Sequence, residues 1–230
     1  MGKVFFLAKL VSNDSYETGN MQLSFDLSKT NPDESVVNIN TSYFKYISDV
    51  IIGENKYKKY DCRFPTKYKV SELTYSLGAE VKEFTTIHNF TAYSLINTDI
   101  VFFDINTKLG NQYIKHINNE SRQNIFEDVK IDLEAVEAKV NNVLASSFQT
   151  GESRIRGQML YGYDIKNEPE YVKLKKSATQ SSLTFVLFHP QLNLTVSPLV
   201  SKKHSIYIVE HISKDLALEV SRFIYFNYLI

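Results

Sequence analysis

Two carboxylates and a lysine surround a short apolar stretch in the first half of the chain. Asp99 and Asp104 enclose the apolar residues of DIVFFDI, and Lys108 follows four residues after Asp104. Carboxylates at a strand end can hold a divalent metal, and a nearby lysine can orient a phosphate. The alternative is an ordinary buried strand that ends in an Asp/Asn turn. The pattern therefore allows a metal-dependent phosphodiester hydrolase or a purely structural strand.

Histidine is a second source of acid–base chemistry. His116 has Arg122 nearby in the sequence, and this pair could serve a metal-independent ribonuclease as acid/base and phosphate ligand. None of the five histidines has a partner at the i, i+4 spacing of a zinc motif. We therefore predict no metal site built from histidines.

A basic and aromatic stretch, ENKYKKYDCRFPTKYK, occupies residues 54–69. Six basic against two acidic residues give it a net charge of +4. Cations that neutralise phosphates and rings that stack on bases are what single-stranded nucleic acid requires. The alternative is a solvated loop or edge hairpin with extended lysine and tyrosine side chains. The candidate nucleic-acid-binding residues are Lys56, Tyr57, Lys58, Lys59, Tyr60, Arg63, Lys67 and Lys69.

Several catalytic and nucleotide-binding motifs are absent from the sequence. There is no G-x-x-x-x-G-K-S/T loop, no G-x-G-x-x-G fingerprint, no G-x-S-x-G elbow and no H-E-x-x-H pair. Eight glycines in 230 residues also leave little material for phosphate-binding loops. Cys62 is the single cysteine, so a disulfide within the chain is impossible. We expect no cofactor.

The strongest helical signal lies in residues 124–151. Apolar residues recur there at the spacing of one helix face, namely Val129, Leu133, Val136, Val140, Val143 and Leu144. This pattern predicts a central amphipathic helix over about 125–148. Its acidic residues, Asp132, Glu134 and Glu137, are expected to form a solvated outer face.

The remaining elements are predicted from shorter patterns. Ser213 is expected to cap a C-terminal helix over about 214–228, and a second helix is predicted at 42–52. Alternating or apolar runs predict strands at 3–11, 21–27, 84–93, 99–105, 154–163, 171–176, 183–188 and 205–212. Together they predict an α+β fold with mostly antiparallel sheets. We place a boundary between an N-terminal, strand-rich unit (1–120) and a C-terminal helix–meander–helix unit (121–230).

Composition limits the remaining function classes. The formal net charge is zero, which argues against a general polyanion binder but permits a local basic patch. No apolar run reaches the length of a membrane-spanning helix or a signal segment, so we expect a cytoplasmic protein without membrane contact. Abundant Asn, Lys, Ile, Tyr and Phe with no Trp are typical of a low-GC microbial genome.

These observations favour a non-enzymatic binding protein whose partner is a protein or a single-stranded nucleic acid. Its expected origin is a mobile element or a phage-defence or counter-defence system. The alternative is the hydrolase, using Asp99, Asp104 and Lys108 or using His116. The aromatic residues 223–230 of the C-terminal helix suggest a homodimer interface, with core packing as the other interpretation.

Overall fold

The computed structural model describes residues 2–11, 42–69, 83–121, 124–150 and 157–230. It confirms a mixed α and β fold, and every strand pair in these ranges is antiparallel. The strand predicted at 21–27 lies outside the described residues, as does Arg122.

The elements follow one another in chain order. The first seven are β1 (Lys3–Leu10), β2 (Tyr43–Ile52), β3 (Asn55–Lys69), β4 (Glu83–Leu95), β5 (Ile100–Phe103), α1 (Thr107–Ser121) and β6 (Phe126–Asp128). They are followed by α2 (Leu133–Lys139), β7 (Val143–Gln149), β8 (Gln158–Tyr161), α3 (Pro169–Ser177), β9 (Thr179–Phe185), β10 (Leu187–His189), β11 (Leu194–Val196), β12 (Leu199–Ser201), β13 (Ser205–Ile208) and α4 (Lys214–Ile224). A π-helical turn, Tyr225–Leu229, extends α4.

Most of the strands belong to one large sheet. Its order is β2-β3-β4-β5-β1-β13-β12-β9-β7-β8, with β6 also paired to β1, while β10 and β11 form a separate hairpin. Because β1 lies between β5 and β13, strands from both sides of residue 120 pair with it. The division into units 1–120 and 121–230 stays a prediction.

The central strands are buried on both faces. Phe5 and Leu7 of β1 point into a core that includes residues of α2, α3 and α4, whereas Phe6 and Ala8 point into a second core with α1. The neighbouring strand β5 alternates in the same way, so all four of its residues are buried. This three-layer packing explains why Ile100–Phe103 is a continuous apolar run rather than an alternating one.

The predicted central helix at 125–148 is wrong. Only Leu133–Lys139 is helical, and strands β6 and β7 flank it. The Asp132 side chain accepts hydrogen bonds from the Glu134 and Ala135 amides and so begins α2, while Val140 leaves the helix with extended torsions. Pairing of β7 with both β8 and β9 outweighs the helical spacing of the apolar residues.

Two shorter predictions are also wrong. Residues 42–52 form strand β2 instead of a helix, because this segment pairs with β3 through a tight turn at Gly53, where φ is +59°. Residues 171–176 belong to helix α3 instead of a strand. Pro169 occupies the first turn of α3, and the buried residues Tyr171 and Leu174 have the three-residue spacing of one helix face.

Other predicted elements are confirmed. Strands occupy the predicted positions in β1, β4, β5 and β13, and Ser213 caps α4 by accepting a hydrogen bond from the Leu216 amide. Across the described ranges, no helix combines the length and the apolar character that crossing a membrane would require.

Candidate functional site

The basic and aromatic stretch is strand β3, and its alternation separates the predicted binding residues. Tyr57 enters the core under α4 and is 0% exposed, whereas Tyr60 enters the core with α1 and is 9% exposed. Strand pairing on both sides, with β2 and β4, enforces this arrangement. Both rings are therefore engaged in packing and are not offered to a ligand for base stacking.

The cations of β3 divide between the same two faces. Lys56 and Lys58 share the face of Tyr60, and Lys56 pairs with Asp49 at 3.0 Å. Lys59, Arg63 and Lys67 lie on the opposite face, at every fourth position of the strand. The side chain of Lys69 lies outside the described residues.

Neighbouring strands add to the face that carries Lys59. Lys45 of β2 lies opposite Asp61, and Tyr43 lies opposite Arg63; directly opposed residues of antiparallel strands share a face. We call this surface the basic sheet face. Its members are Tyr43, Lys45, Lys59, Asp61, Arg63, Pro65 and Lys67, with Thr85, Ile87, Asn89 and Thr91 of β4.

The basic sheet face carries an excess of positive charge. Lys45, Lys59, Arg63 and Lys67 make no ion pair within the part of the chain that the structure describes. The Nε atom of Arg63 is buried and lacks a hydrogen-bond partner there.

The acidic residue of this face, Asp61, is already engaged. It accepts a hydrogen bond of 2.9 Å from the Tyr43 hydroxyl. Burial and this bond raise the pKa of Tyr43. The hydroxyl therefore stays protonated and keeps donating to Asp61 at neutral pH.

Helix α4 packs over this face only as far as the row of paired residues that contains Thr91. Lys214, the first residue of α4, donates to the Thr91 hydroxyl, pairs with Asp104 at 2.7 Å and lies 5.2 Å from the Tyr93 ring centroid. Lys45 in that row and Lys67 and Asn89 beyond it are exposed, whereas Lys59, opposite Tyr93, lies on the covered side of the row and is half-buried. Lys45 and Lys67 are therefore accessible to a partner, and Lys59 and Arg63 are half-buried beside them.

The structure does not bring the predicted hydrolytic residues together. Asp99 and Asp104 flank opposite ends of β5; Asp99 lies 3.8 Å from Lys9, and Asp104 is held by Lys214. Lys108 is exposed in the first turn of α1. Among the described residues, no group of three or more His, Cys, Asp or Glu side chains is arranged to hold a metal ion.

His116 is part of the packing between α1 and the sheet. Its Nε2 atom lies 2.9 Å from the Ser42 hydroxyl, and its ring centroid lies 5.4 Å from that of Phe64. These contacts give the imidazole a structural partner on the face away from the basic sheet face. Its role as an acid or base stays a prediction.

The sequence did not predict two carboxylates that are buried in the structure. Glu137 was expected on a solvated face but is 5% exposed, and it accepts hydrogen bonds from the Tyr171 hydroxyl at 2.6 Å and from Lys175 at 3.1 Å. Glu219 is equally buried and accepts from the Tyr57 hydroxyl at 2.5 Å. Each of these hydrogen bonds joins residues at least 34 positions apart, so local sequence patterns cannot predict them.

The C-terminal helix packs on its own sheet. Val220 and Ile224 are 0% exposed in the core, while Leu216 and Phe226 keep more than a third of their surface accessible. Of residues 223–230, which suggested a dimer interface, Ile224 and Tyr225 are buried in the core, and Phe226 and Ile230 are exposed. A homodimer through this helix stays a prediction.

Neither a scan against models of known protein families nor a search of curated proteins finds a match for this chain. Its function therefore has to be inferred from its own residues and their geometry. The cations of the basic sheet face, which make no ion pair with a described residue, are the feature with the clearest chemical consequence.

Proposed function

We propose that this protein is a non-enzymatic binding protein that holds single-stranded nucleic acid on the basic sheet face. The observation that carries this proposal is the alignment of Lys45, Lys59, Arg63 and Lys67 on one side of two paired strands. The acidic residue among them, Asp61, is hydrogen-bonded to Tyr43. Four cations with one engaged carboxylate leave the surface able to neutralise several phosphates.

The dimensions of the basic sheet face suit an extended strand. Residues rise by about 3.3 Å along a β-strand, so the row from Lys59 through Arg63 to Lys67 spans roughly 26 Å. A row of that length can contact several successive nucleotides. An open sheet surface also presents this row without requiring the groove geometry of a duplex.

Uncharged side chains between the cations add contacts for bases and sugars. Pro65 and Ile87 are half-buried and face each other across β3 and β4, so they offer a small apolar surface. Asn89 and Thr85 supply hydrogen-bonding groups beside them. Because Tyr57 and Tyr60 are buried, phosphate contacts dominate over ring stacking, and we expect little preference for sequence.

Electrostatic binding of this kind depends on salt. Each phosphate neutralised on a single strand contributes about −0.7 to the slope of log K against log salt concentration. Four contacts therefore predict a slope of about −3. The zero net charge of the whole chain predicts no further long-range attraction.

Fluorescence anisotropy with labelled single-stranded DNA and RNA of about 20 nucleotides tests this proposal. Replacement of Lys45, Lys59 and Lys67 by Gln should weaken binding on the order of tenfold or more and should flatten the salt slope. The matched control replaces Lys56, Lys58 and Lys108 by Gln, which removes the same charge from positions off the basic sheet face. We expect the control to bind like the unaltered protein.

Two results would contradict the proposal. The first is an absence of binding by the unaltered protein at low salt. The second is an equal loss of affinity in the two triple variants, which would indicate attraction to overall charge. A protein partner on this surface becomes the better interpretation in the first case. Hydrolysis through Asp99 and Asp104 or through His116 stays a prediction, since no described contact favours it.

A further inference from the structure

A polar pocket lies on the other half of the sheet, between α2, the end of α3, the start of β9 and the turn after β12. Its volume is about 260 Å³, and its polar lining residues include Asp132, Glu134, Lys175, Thr179, Gln180 and Lys202. We infer that this pocket binds a small zwitterion, a free α-amino acid, through separate sites for its carboxylate and its ammonium group.

The pocket has a positive side formed by two lysines. Lys202 is exposed and makes no ion pair with any described residue, so its ammonium group is available to a carboxylate. Lys175 is fixed in place by Glu137, whose two carboxylate oxygens each lie 3.1 Å from its Nζ atom. One exposed and one anchored cation together provide a site for the ligand's carboxylate.

The pocket also has a negative side. Glu134 makes no side-chain ion pair within the described ranges, and it is exposed in the first turn of α2. Asp132 beside it uses Oδ1 to accept the Glu134 and Ala135 amides. With two acids and two bases, the lining is formally neutral but dipolar. Such a lining favours a ligand that is itself neutral and dipolar over a simple anion or cation.

Gln180 contributes an acceptor whose orientation is determined by its neighbours. The Ser146 hydroxyl donates to the Ser182 carbonyl, and the Tyr171 hydroxyl donates to Glu137. Both hydroxyl oxygens can therefore only accept from Gln180, at 2.8 and 3.1 Å, so its amide nitrogen faces them.

This orientation leaves the carbonyl oxygen of Gln180 without a hydrogen-bond partner among the described residues. The residue is 8% exposed and lines the pocket, and its Oε1 atom is buried and accepts no hydrogen bond from the part of the chain that the structure describes. A buried acceptor without a donor is destabilising. An ammonium group, or a water molecule ordered by it, would satisfy this atom when the ligand is bound.

The volume limits the size of the ligand. A water molecule occupies about 30 Å³ in the liquid, so the pocket holds on the order of eight waters. That space suits a free amino acid and is below the range of pockets for larger, drug-sized molecules. The pocket is also remote in the sheet order from strands β2 and β3, so its ligand does not compete for the basic sheet face.

The test begins with the full chain and each proteinogenic L-amino acid at millimolar concentration. We expect one or a few of them to raise the melting temperature and to give a saturable heat of binding by calorimetry. The N-acetyl and methyl-ester derivatives of the same amino acid each lack one charge. Both should bind about tenfold more weakly or worse.

Charge-removing variants place the ligand in the pocket. Glu134→Gln and Lys202→Gln should each weaken binding about tenfold, whereas the matched exposed variants Glu170→Gln and Lys203→Gln should bind like the unaltered protein. The inference is overturned if no amino acid stabilises the unaltered protein or if the two pocket variants bind normally. It is also overturned if inorganic phosphate binds as tightly as the best amino acid, since the pocket would then be a simple anion site.

Discussion

The hydrogen bond between Tyr57 and Glu219 connects strand β3 to helix α4, and its removal should destabilise the whole protein. The Tyr57 hydroxyl donates to Glu219 Oε1 at 2.5 Å, and both residues are buried. Asn55 and Arg222 donate to the other carboxylate oxygen at 2.7 and 3.1 Å. Glu219 is therefore a buried charge that is stable only because three donors surround it.

The expected magnitudes follow from what each substitution leaves behind. Tyr57→Phe removes a hydrogen bond to a charged group, and such bonds contribute about 1.5–3 kcal/mol, so we expect a loss of roughly 2 kcal/mol. Glu219→Ala leaves the Tyr57 hydroxyl and Arg222 without their buried acceptor. Removing one partner of a buried pair costs about 3–5 kcal/mol.

Urea denaturation followed by far-ultraviolet circular dichroism measures these free energies of unfolding, since the chain has no tryptophan for fluorescence. In the double variant, Tyr57→Phe should add little once Glu219 is absent, which gives a coupling energy of about 1–3 kcal/mol. The control is Tyr163→Phe, because Tyr163 is 85% exposed.

One result would refute this account of Glu219. In that result, the free energies of unfolding of Tyr57→Phe and of the unaltered protein differ by less than about 0.5 kcal/mol, and the double variant shows no coupling to Glu219. The Tyr163→Phe control should also lie within this limit.

Two further perturbations have definite expected outcomes. Burial raises the pKa of Tyr60 from 10.0 to about 12, so the folded state retains a proton that the unfolded chain loses above pH 10. The contribution of Tyr60 to the free energy of unfolding should be constant below pH 10 and then fall by about 1.4 kcal/mol per pH unit until pH 12. In urea titrations across this range, the free energy of unfolding of Tyr60→Phe should decline less steeply than that of the unaltered protein. Gly110→Ala should lower the melting temperature although alanine favours helices, because its Cβ would lie 2.5 Å from the Phe6 ring. The expected loss in the free energy of unfolding is about 1–3 kcal/mol. A raised melting temperature in calorimetry would contradict the close packing of α1 on β1.

Elements with a strong local signal could be predicted from the sequence. The apolar runs of β1 and β5 and the cap at Ser213 depend on residues close together in the chain, and the structure contains all three. The basic character of residues 54–69 was equally evident from composition. Which of its cations act together required knowing that the segment is a strand, since alternation assigns Lys56 and Lys59 to opposite faces.

Where the local sequence pattern is ambiguous, tertiary packing determined the secondary structure of the segment. Residues 125–148 have helical spacing, yet only seven of them form α2, because β7 gains hydrogen-bonded partners on both edges from β8 and β9. Residues 42–52 likewise became a strand through pairing with β3.

The sequence by itself determined the fold class, the unequal distribution of charge and the absence of familiar catalytic motifs. Only the tertiary structure decided that Glu137 and Glu219 are buried, that four cations share one face of the sheet and that Gln180 lines a dipolar pocket. The physical reason is that burial and hydrogen-bond partners depend on contacts between distant segments. Local periodicity indicates which side of a helix or strand is apolar, but it does not indicate which residues that side packs against.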